Sequence, residues 1–158
     1  MATQVALVTG GGTGIGAATA RRLATDGWRV AVTGRRTGPI DAVAGEVGGL
    51  AIRADQALAD DCERAVAATL EAYGRLDALV ANAGVETMGA FDEVDHDDWA
   101  NVMRVNVDGV LLSARAAAPA LRATGGSIVV VSSVAGLTSG AHYAAYVTSK
   151  TAVLGLVR

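Results

Sequence analysis

The chain has 158 residues, and with 51% of them hydrophobic it carries enough apolar surface for the core of one domain. Thirteen basic and sixteen acidic residues give a net charge of −3 with no basic stripe, which argues against nucleic acid and membrane surfaces as partners. Cys62 is the only cysteine, so an internal disulfide and a cysteine-based metal site are excluded. The chain enters an apolar strand without a cationic leader, and no apolar run approaches the eighteen or so residues of a membrane span. A soluble, cytoplasmic protein without a metal is expected. In chain order, Gln4 to Thr9 reads as a strand, 15–26 as a helix, Arg29 to Thr33 as a strand and 39–47 as a helix opened by Pro39. Leu50 to Arg53 is a third strand, followed by a helix over 59–73, a fourth strand from Ala78 to Ala81, a long helix over 95–122 and a fifth strand from Ser127 to Ser132. Runs such as Ile128-Val129-Val130-Val131 lack polar alternation, as strands covered on both faces do, so the sheet should be parallel and its helices should form crossovers. The pattern predicts a doubly wound α/β architecture in one domain, 1–158.

Thr9-Gly10-Gly11-Gly12-Thr13-Gly14-Ile15-Gly16 leaves the first strand and opens a helix. Backbone amides and the helix dipole hold a pyrophosphate at such a junction, and glycines permit its close approach. In this strand-loop-helix setting the motif predicts a Rossmann-type dinucleotide site. No Lys-Ser or Lys-Thr follows, which excludes a nucleoside-triphosphate loop. An acidic residue ending the second strand would bind the ribose hydroxyls of NAD; the chain instead reads Thr33-Gly34-Arg35-Arg36. Guanidinium groups there suit the 2′-phosphate of NADP, so NADP is expected, with NAD possible. Two arginines solvating a loop is the plainer alternative. Asp55, followed by Gln56 after the third strand, is placed to meet the adenine, or simply to cap the next segment.

Lys150 is the only lysine, the other twelve basic residues being arginine. It lies four residues after Tyr146 in a stretch that reads as helical, so the two share a face. A phenol is a poor base near neutrality unless a nearby positive charge favours its ionised form, and Lys150 supplies that charge. Tyr146 is therefore the candidate acid/base. Tyr143, two helical turns from Lys150, reads as a pocket wall. Ser132 and Ser133 end the fifth strand with side chains on opposite faces, and sequence physics alone does not choose between them. His142 reads as a solvated loop histidine, while His96, Asp97 and Asp98 read as the start of a helix, with capping their role. Trp99 is expected in the core and Cys62 is expected to be inert. Glu86 and Met88 are candidate pocket wall, with plain loop surface an equal alternative.

With these motifs on the page, the chain resembles the short-chain dehydrogenase/reductase family over essentially its whole length. Thr9 to Gly16 is similar to the family's Thr-Gly-x3-Gly-x-Gly motif, and Asn82-Ala83-Gly84 to its Asn-Ala-Gly element. Asn106 matches the helix asparagine, Ser133 lies thirteen residues before Tyr146, and Tyr146 with Lys150 matches Tyr-x3-Lys. The resemblance implies hydride transfer between nicotinamide and a carbonyl or secondary alcohol of a small organic substrate. Ser133 would hydrogen-bond the substrate oxygen, Tyr146 would move its proton, Lys150 would also grip the nicotinamide ribose, and Asn106 would hold a proton-relay water. It also implies cofactor contacts from Gly10, Gly12, Thr13, Gly14, Ile15, Gly16, Asn82, Ala83 and Gly84. Family members continue past the Tyr-x3-Lys helix into further strands and a substrate loop, so the sequence is expected to belong to a longer chain, with Arg158 inside a helix. A non-catalytic dinucleotide-binding sensor or scaffold is the competing class. The helix over 95–122 is apolar on more than one face, which with the resemblance implies a homodimer or homotetramer whose pairing face includes Ala117.

Overall fold

The computed structural model describes residues 3–138 and 141–158. Five short segments rich in valine, leucine and alanine form strands: β1 (Val5–Thr9), β2 (Arg29–Gly34), β3 (Leu50–Arg53), β4 (Ala78–Ala81) and β5 (Ser127–Val130). They pair in parallel in the order β3-β2-β1-β4-β5, so strand order reverses between β1 and β4. Crevices at the carboxyl ends of strands at such a reversal are where ligands bind in sheets of this type. The helices are α1 (Gly14–Thr25), α2 (Thr37–Val47), α3 (Ala59–Tyr73), α4 (His96–Met103), α5 (Gly109–Thr124) and α6 (Ala144–Leu156).

The two-residue period of a strand sends β1 into two cores. Val5 and Leu7 pack on one face with Ala65, Val66, Ala117 and Leu121 of α3 and α5. Val8 packs on the other with Ala17 and Ala20 of α1 and Ile40, Val43 and Ala44 of α2. Helices thus cover both faces, and the doubly wound parallel architecture is present. No helix of the described residues is long and apolar enough to cross a membrane.

Several expectations need correction. The helix over 95–122 is interrupted: a π-helical stretch, Arg104–Asp108, separates α4 from α5 and carries Asn106 inward. Ala117 is fully buried in the core beneath α5, so it belongs to no pairing face; the large exposed apolar side chain of that helix is Leu111, at 53%. The cap of α4 is Asp95, whose carboxylate accepts from the amides of Asp97 and Asp98; the latter two sit in the first turn and complement the helix dipole. Trp99 is half-buried and lies outside the core clusters. The Val-rich run of the fifth strand is not buried throughout: β5 is the sheet edge, and Ile128 and Val129 on it are exposed. Arg158 lies beyond the end of α6, not within it.

Candidate active site

The loop between β1 and α1 is built so that its backbone lies against the end of β4. Gly10 has a φ of +63°, and a Cβ on it would come within 2.9 Å of the Ala83 Cα. A methyl on Gly16 would overlap the Gly10 carbonyl. Thr9 and Asn82 fasten the two segments together. The Thr9 hydroxyl accepts from the amides of Asn82 and Ala83 at 3.0 and 3.1 Å, and the Asn82 side chain donates to the Thr9 carbonyl at 2.9 Å. The Asn82 side chain is therefore a strut that sets the glycine loop. Thr13 caps α1 with no side-chain hydrogen bond, which leaves first-turn amides open for an anion.

Above this loop lies a cleft of about 450 Å³, the size of a small-molecule site. Of the expected cofactor residues it is lined by Gly10, Gly12, Thr13 and Ile15 from the loop, and by Arg35 and Arg36 after β2. Asp55 and Gln56 after β3 and Asn82, Ala83 and Gly84 after β4 complete the set. Gly14 and Gly16 do not line it; they shape the loop instead. The Gln56 side chain is buried and donates to the Thr33 hydroxyl at 2.6 Å, so its amide braces β2. Asp55 lines the cleft and also caps the following turn, accepting from the Ala57 amide at 3.0 Å. Backbone amides, glycines and two guanidinium groups without a carboxylate partner among the described residues make a donor set suited to phosphate oxygens. A dinucleotide fits this chemistry.

Of the candidate reacting groups, Tyr146 and Lys150 lie on α6, Ser133 just beyond β5 and Asn106 in the π-helical stretch between α4 and α5. Lys150 Nζ lies 5.8 Å from the Tyr146 ring centroid, as the i to i+4 spacing requires. Lys150 is buried, and its Nζ donates to the Val131 carbonyl at 2.8 Å. Burial pushes its pKa below the ordinary ammonium value. Gly84 brings cleft and lysine together, since a Cβ there would stand 3.5 Å from Nζ.

The two serines separate by hydrogen bonding. Ser132 donates to the Lys150 carbonyl at 2.8 Å, which commits its proton to α6. Ser133 only accepts, from the Ala135 amide at 3.1 Å, and keeps its own proton to donate. Asn106 is almost wholly buried, with its carboxamide engaged on three sides: it accepts from the Val85 amide and donates to the Val85 carbonyl, both at 2.8 Å, and donates to Ser149 at 3.0 Å. Ser149 in turn donates to the Tyr146 carbonyl at 2.8 Å. Asn106 thus braces the segment after β4 against α6. Ser149 was missed by reading the sequence, although its position three residues after Tyr146 on the buried side of α6 was a usable signal. Tyr143 stands 6.3 Å from Tyr146, ring to ring, at the start of α6. His142 is exposed, and its carbonyl accepts from the Gly89 amide at 3.0 Å. Met88 is exposed and Glu86 likewise. Cys62 is buried, and that burial raises its thiol pKa, so it has no nucleophilic character.

A parallel sheet with a glycine loop at its reversal and a Tyr-Lys pair beside it defines a dinucleotide-binding α/β protein. The family model described as short chain dehydrogenase matches residues 4–158. The chain is 34% identical to trans-4-hydroxycyclohexanecarboxylate dehydrogenase of Sinomonas cyclohexanicum, a match spanning all of this chain and 65% of that protein. It is 36% identical to human dehydrogenase/reductase SDR family member 4, over all of this chain and 59% of the relative. Among solved structures, a short chain dehydrogenase/reductase from Burkholderia phymatum in complex with NAD superposes with a TM-score of 0.94 at 32% identity, covering 98% of this chain and 58% of that one. Levodione reductase superposes at 0.95 and 30% identity, over all of this chain and 65% of that one. The chain belongs to the short chain dehydrogenase family. It spans 59 to 65% of the length of these curated relatives.

Proposed function

We propose that the protein is an NADP-preferring oxidoreductase that interconverts a carbonyl and a secondary alcohol on a small organic substrate, with residues 1–158 forming its dinucleotide-binding domain. The observation that carries this reading is the buried Lys150 ammonium beside the Tyr146 ring, with no carboxylate partner among the described residues. When bound, the nicotinamide supplies or accepts the hydride, a chemistry no side chain offers. Tyr146 delivers a proton to the substrate oxygen during reduction and removes it during oxidation. Ser133, with its proton uncommitted, donates a hydrogen bond to the same oxygen as charge develops there. Lys150 favours the ionised phenol. Asn106 keeps the segment after β4 in register with α6 through Val85 and Ser149, leaving one side-chain lone pair for a water.

The NADP preference rests on Arg35 and Arg36 at the end of β2, where an acidic residue would favour NAD. The NAD-bound relative supports a nicotinamide dinucleotide in general. A small alcohol as substrate accords with relatives that are dehydrogenases of trans-4-hydroxycyclohexanecarboxylate and of cis-1,2-dihydrobenzene-1,2-diol. A homodimer or homotetramer is the proposed assembly, and Leu111→Glu is expected to shift it towards monomer in light scattering. A wild-type monomer at micromolar concentration overturns that part.

The test of activity is the full-length protein with NADPH and a panel of small ketones, and with NADP and the matching alcohols, followed by nicotinamide absorbance. Consumption of NADPH with at least one ketone is expected. Tight dinucleotide binding with no turnover across the panel would instead support a sensor or scaffold.

A further inference from the structure

The arginines of this chain sort into two groups. Arg21, Arg22, Arg64, Arg75 and Arg115 each pair with a carboxylate. Arg29, Arg35, Arg36, Arg53, Arg104, Arg122 and Arg158 do not among the described residues, and three of these, Arg35, Arg36 and Arg53, stand together at the carboxyl ends of β2 and β3. Arg53 is the last residue of β3 and lies in register with Gly34 of β2. It is held on both sides. Its Nε donates to the Arg35 carbonyl at 3.3 Å, and its own carbonyl accepts from Arg64 at 3.0 Å. Arg64 is fixed by Asp61 at 2.6 Å, and Asp61 accepts from the Asp55 amide at 2.7 Å. The Arg64 hydrogen bond, followed by the Asp55 amide, holds the Asp61 carboxyl below its usual range.

This scaffold surrounds a recess of about 340 Å³ lined by Arg35, Arg53, Asp55, Leu58, Asp61 and Arg64. The recess shares Arg35 and Asp55 with the dinucleotide cleft, so the two are neighbours at its adenosine end. Asp61 is neutralised by Arg64, and Asp55 is left to oppose Arg35 and Arg53. An excess of cationic donors, with a guanidinium already fixed at one edge by its Nε, suits a phosphate monoester and exceeds what a ribose hydroxyl needs.

Resting on the NADP reading above, we propose that Arg53 is a further specificity-determining residue, which joins Arg35 in holding the phosphate on the adenosine ribose. The Nε bond sets the Arg35 main chain, and the terminal nitrogens of Arg53 remain for phosphate oxygens. Discrimination between the two dinucleotides then comes from two strands and not from the β2 turn alone.

Calorimetric binding to the full-length protein tests this without turnover, with adenosine 2′,5′-bisphosphate and 5′-AMP as probes. Arg53→Ala is expected to weaken the bisphosphate about tenfold or more and 5′-AMP less than about twofold, with a shallower salt dependence for the bisphosphate. Arg53→Lys, which keeps the charge, should recover at least about threefold of that loss. Arg35→Ala separates the two levels of the argument. If it weakens only the bisphosphate while Arg53→Ala changes neither probe or both equally, the role of Arg53 is overturned and the NADP reading stands. If wild type binds 5′-AMP as tightly as the bisphosphate and Arg35→Ala changes nothing, the NADP reading itself fails. A lysine variant no better than the alanine variant overturns the direct contact. Arg53 is exposed, so all variants should fold.

Discussion

At the amino ends of its strands the sheet closes a buried charge on itself, whereas at the carboxyl ends it leaves one without a counter-charge among the described residues. Asp77, just before β4, is buried, and its carboxylate accepts two hydrogen bonds from Arg75, at 2.8 and 2.6 Å, and one from the Val5 amide at 2.9 Å. Its own backbone bonds to Val5 and Ser127, so it ties the starts of β1, β4 and β5. At the other end Lys150 is equally buried, but its recorded partner is a neutral carbonyl. A matched charge contributes to stability. An unmatched one in a cleft is held at some cost to folding and remains available to a phenol or a ligand.

The largest effect that would break this contrast is expected at Tyr146. Tyr146→Phe removes one oxygen and little volume, so kcat should fall by about 10²–10⁴, while dinucleotide binding and melting temperature stay close to wild type. Turnover above a tenth of wild type would remove Tyr146 from the proton-transfer role. Asp77→Ala should do the reverse. It leaves the buried Val5 amide without its acceptor and Arg75 without its partner, for a loss of about 3 kcal/mol in denaturant unfolding, and it should leave kcat per folded molecule unchanged. The figure sits at the low end for a broken buried pair because the Arg75 side chain is 33% exposed and water can take up its charge.

The same contrast appears in pH dependence. The Arg75 hydrogen bonds, and then the Val5 amide, hold the Asp77 pKa down against its burial. Between that value and the ordinary carboxylate pKa of about 3.9 the unfolded chain binds more protons. The Asp77 contribution is therefore complete above about pH 3.9 and fades as pH falls through the folded value. Burial lowers the Lys150 pKa from an ordinary value of about 10.4. The unfolded chain again binds more protons between the two values, so stability rises with pH through that alkaline window, and the penalty is full below the folded value. Asp77→Asn should flatten the acid arm alone and Lys150→Met the alkaline arm alone in unfolding curves measured across pH. An unchanged alkaline arm in Lys150→Met would mean that the ammonium is not penalised by burial.

How far these features could be read in the sequence follows from the range over which each is determined. The first four strands and α1, α2 and α3 lie within about two residues of their expected spans, because apolar runs, glycines and turn residues act locally. The glycine loop and the Tyr146-Lys150 spacing were legible for the same reason. The π-helical stretch was not, since Asn106 is paired with Val85 and Ser149, partners that lie 21 and 43 positions away. Nor was the Asp77 latch, whose Val5 partner is 72 positions distant. The burial of Ala117 depends on α3 packing against α5 over the sheet, and helical periodicity alone left both faces of that helix apolar. Gln56 and Asn82 were expected at the cofactor; both line the cleft, yet their amides serve Thr33 and the glycine loop.

The smallest effect, and the finest test of the contrast, lies within the carboxyl end, where two adjacent serines do different work. Ser132 and the backbone of Val131 clasp α6 reciprocally: the serine hydroxyl donates to the Lys150 carbonyl while Lys150 Nζ donates to the Val131 carbonyl. Ser132→Ala removes one half of that clasp. The freed Lys150 carbonyl keeps its place in α6, so the expected loss is about 1 kcal/mol, the usual net value of a neutral hydrogen bond. Because Nζ keeps its own bond, kcat should change by less than about threefold. Ser133 accepts from Ala135 but donates to no recorded partner, so Ser133→Ala should lower kcat by about 10²–10³, the range for loss of one donor at a developing oxyanion, with a smaller change in melting temperature. Thermal unfolding and steady-state kinetics on the two variants decide the assignment. If Ser132→Ala costs more turnover than Ser133→Ala, then the serine clasped to α6 is the one that meets the substrate, and the hydrogen-bond pattern has been assigned the wrong way round.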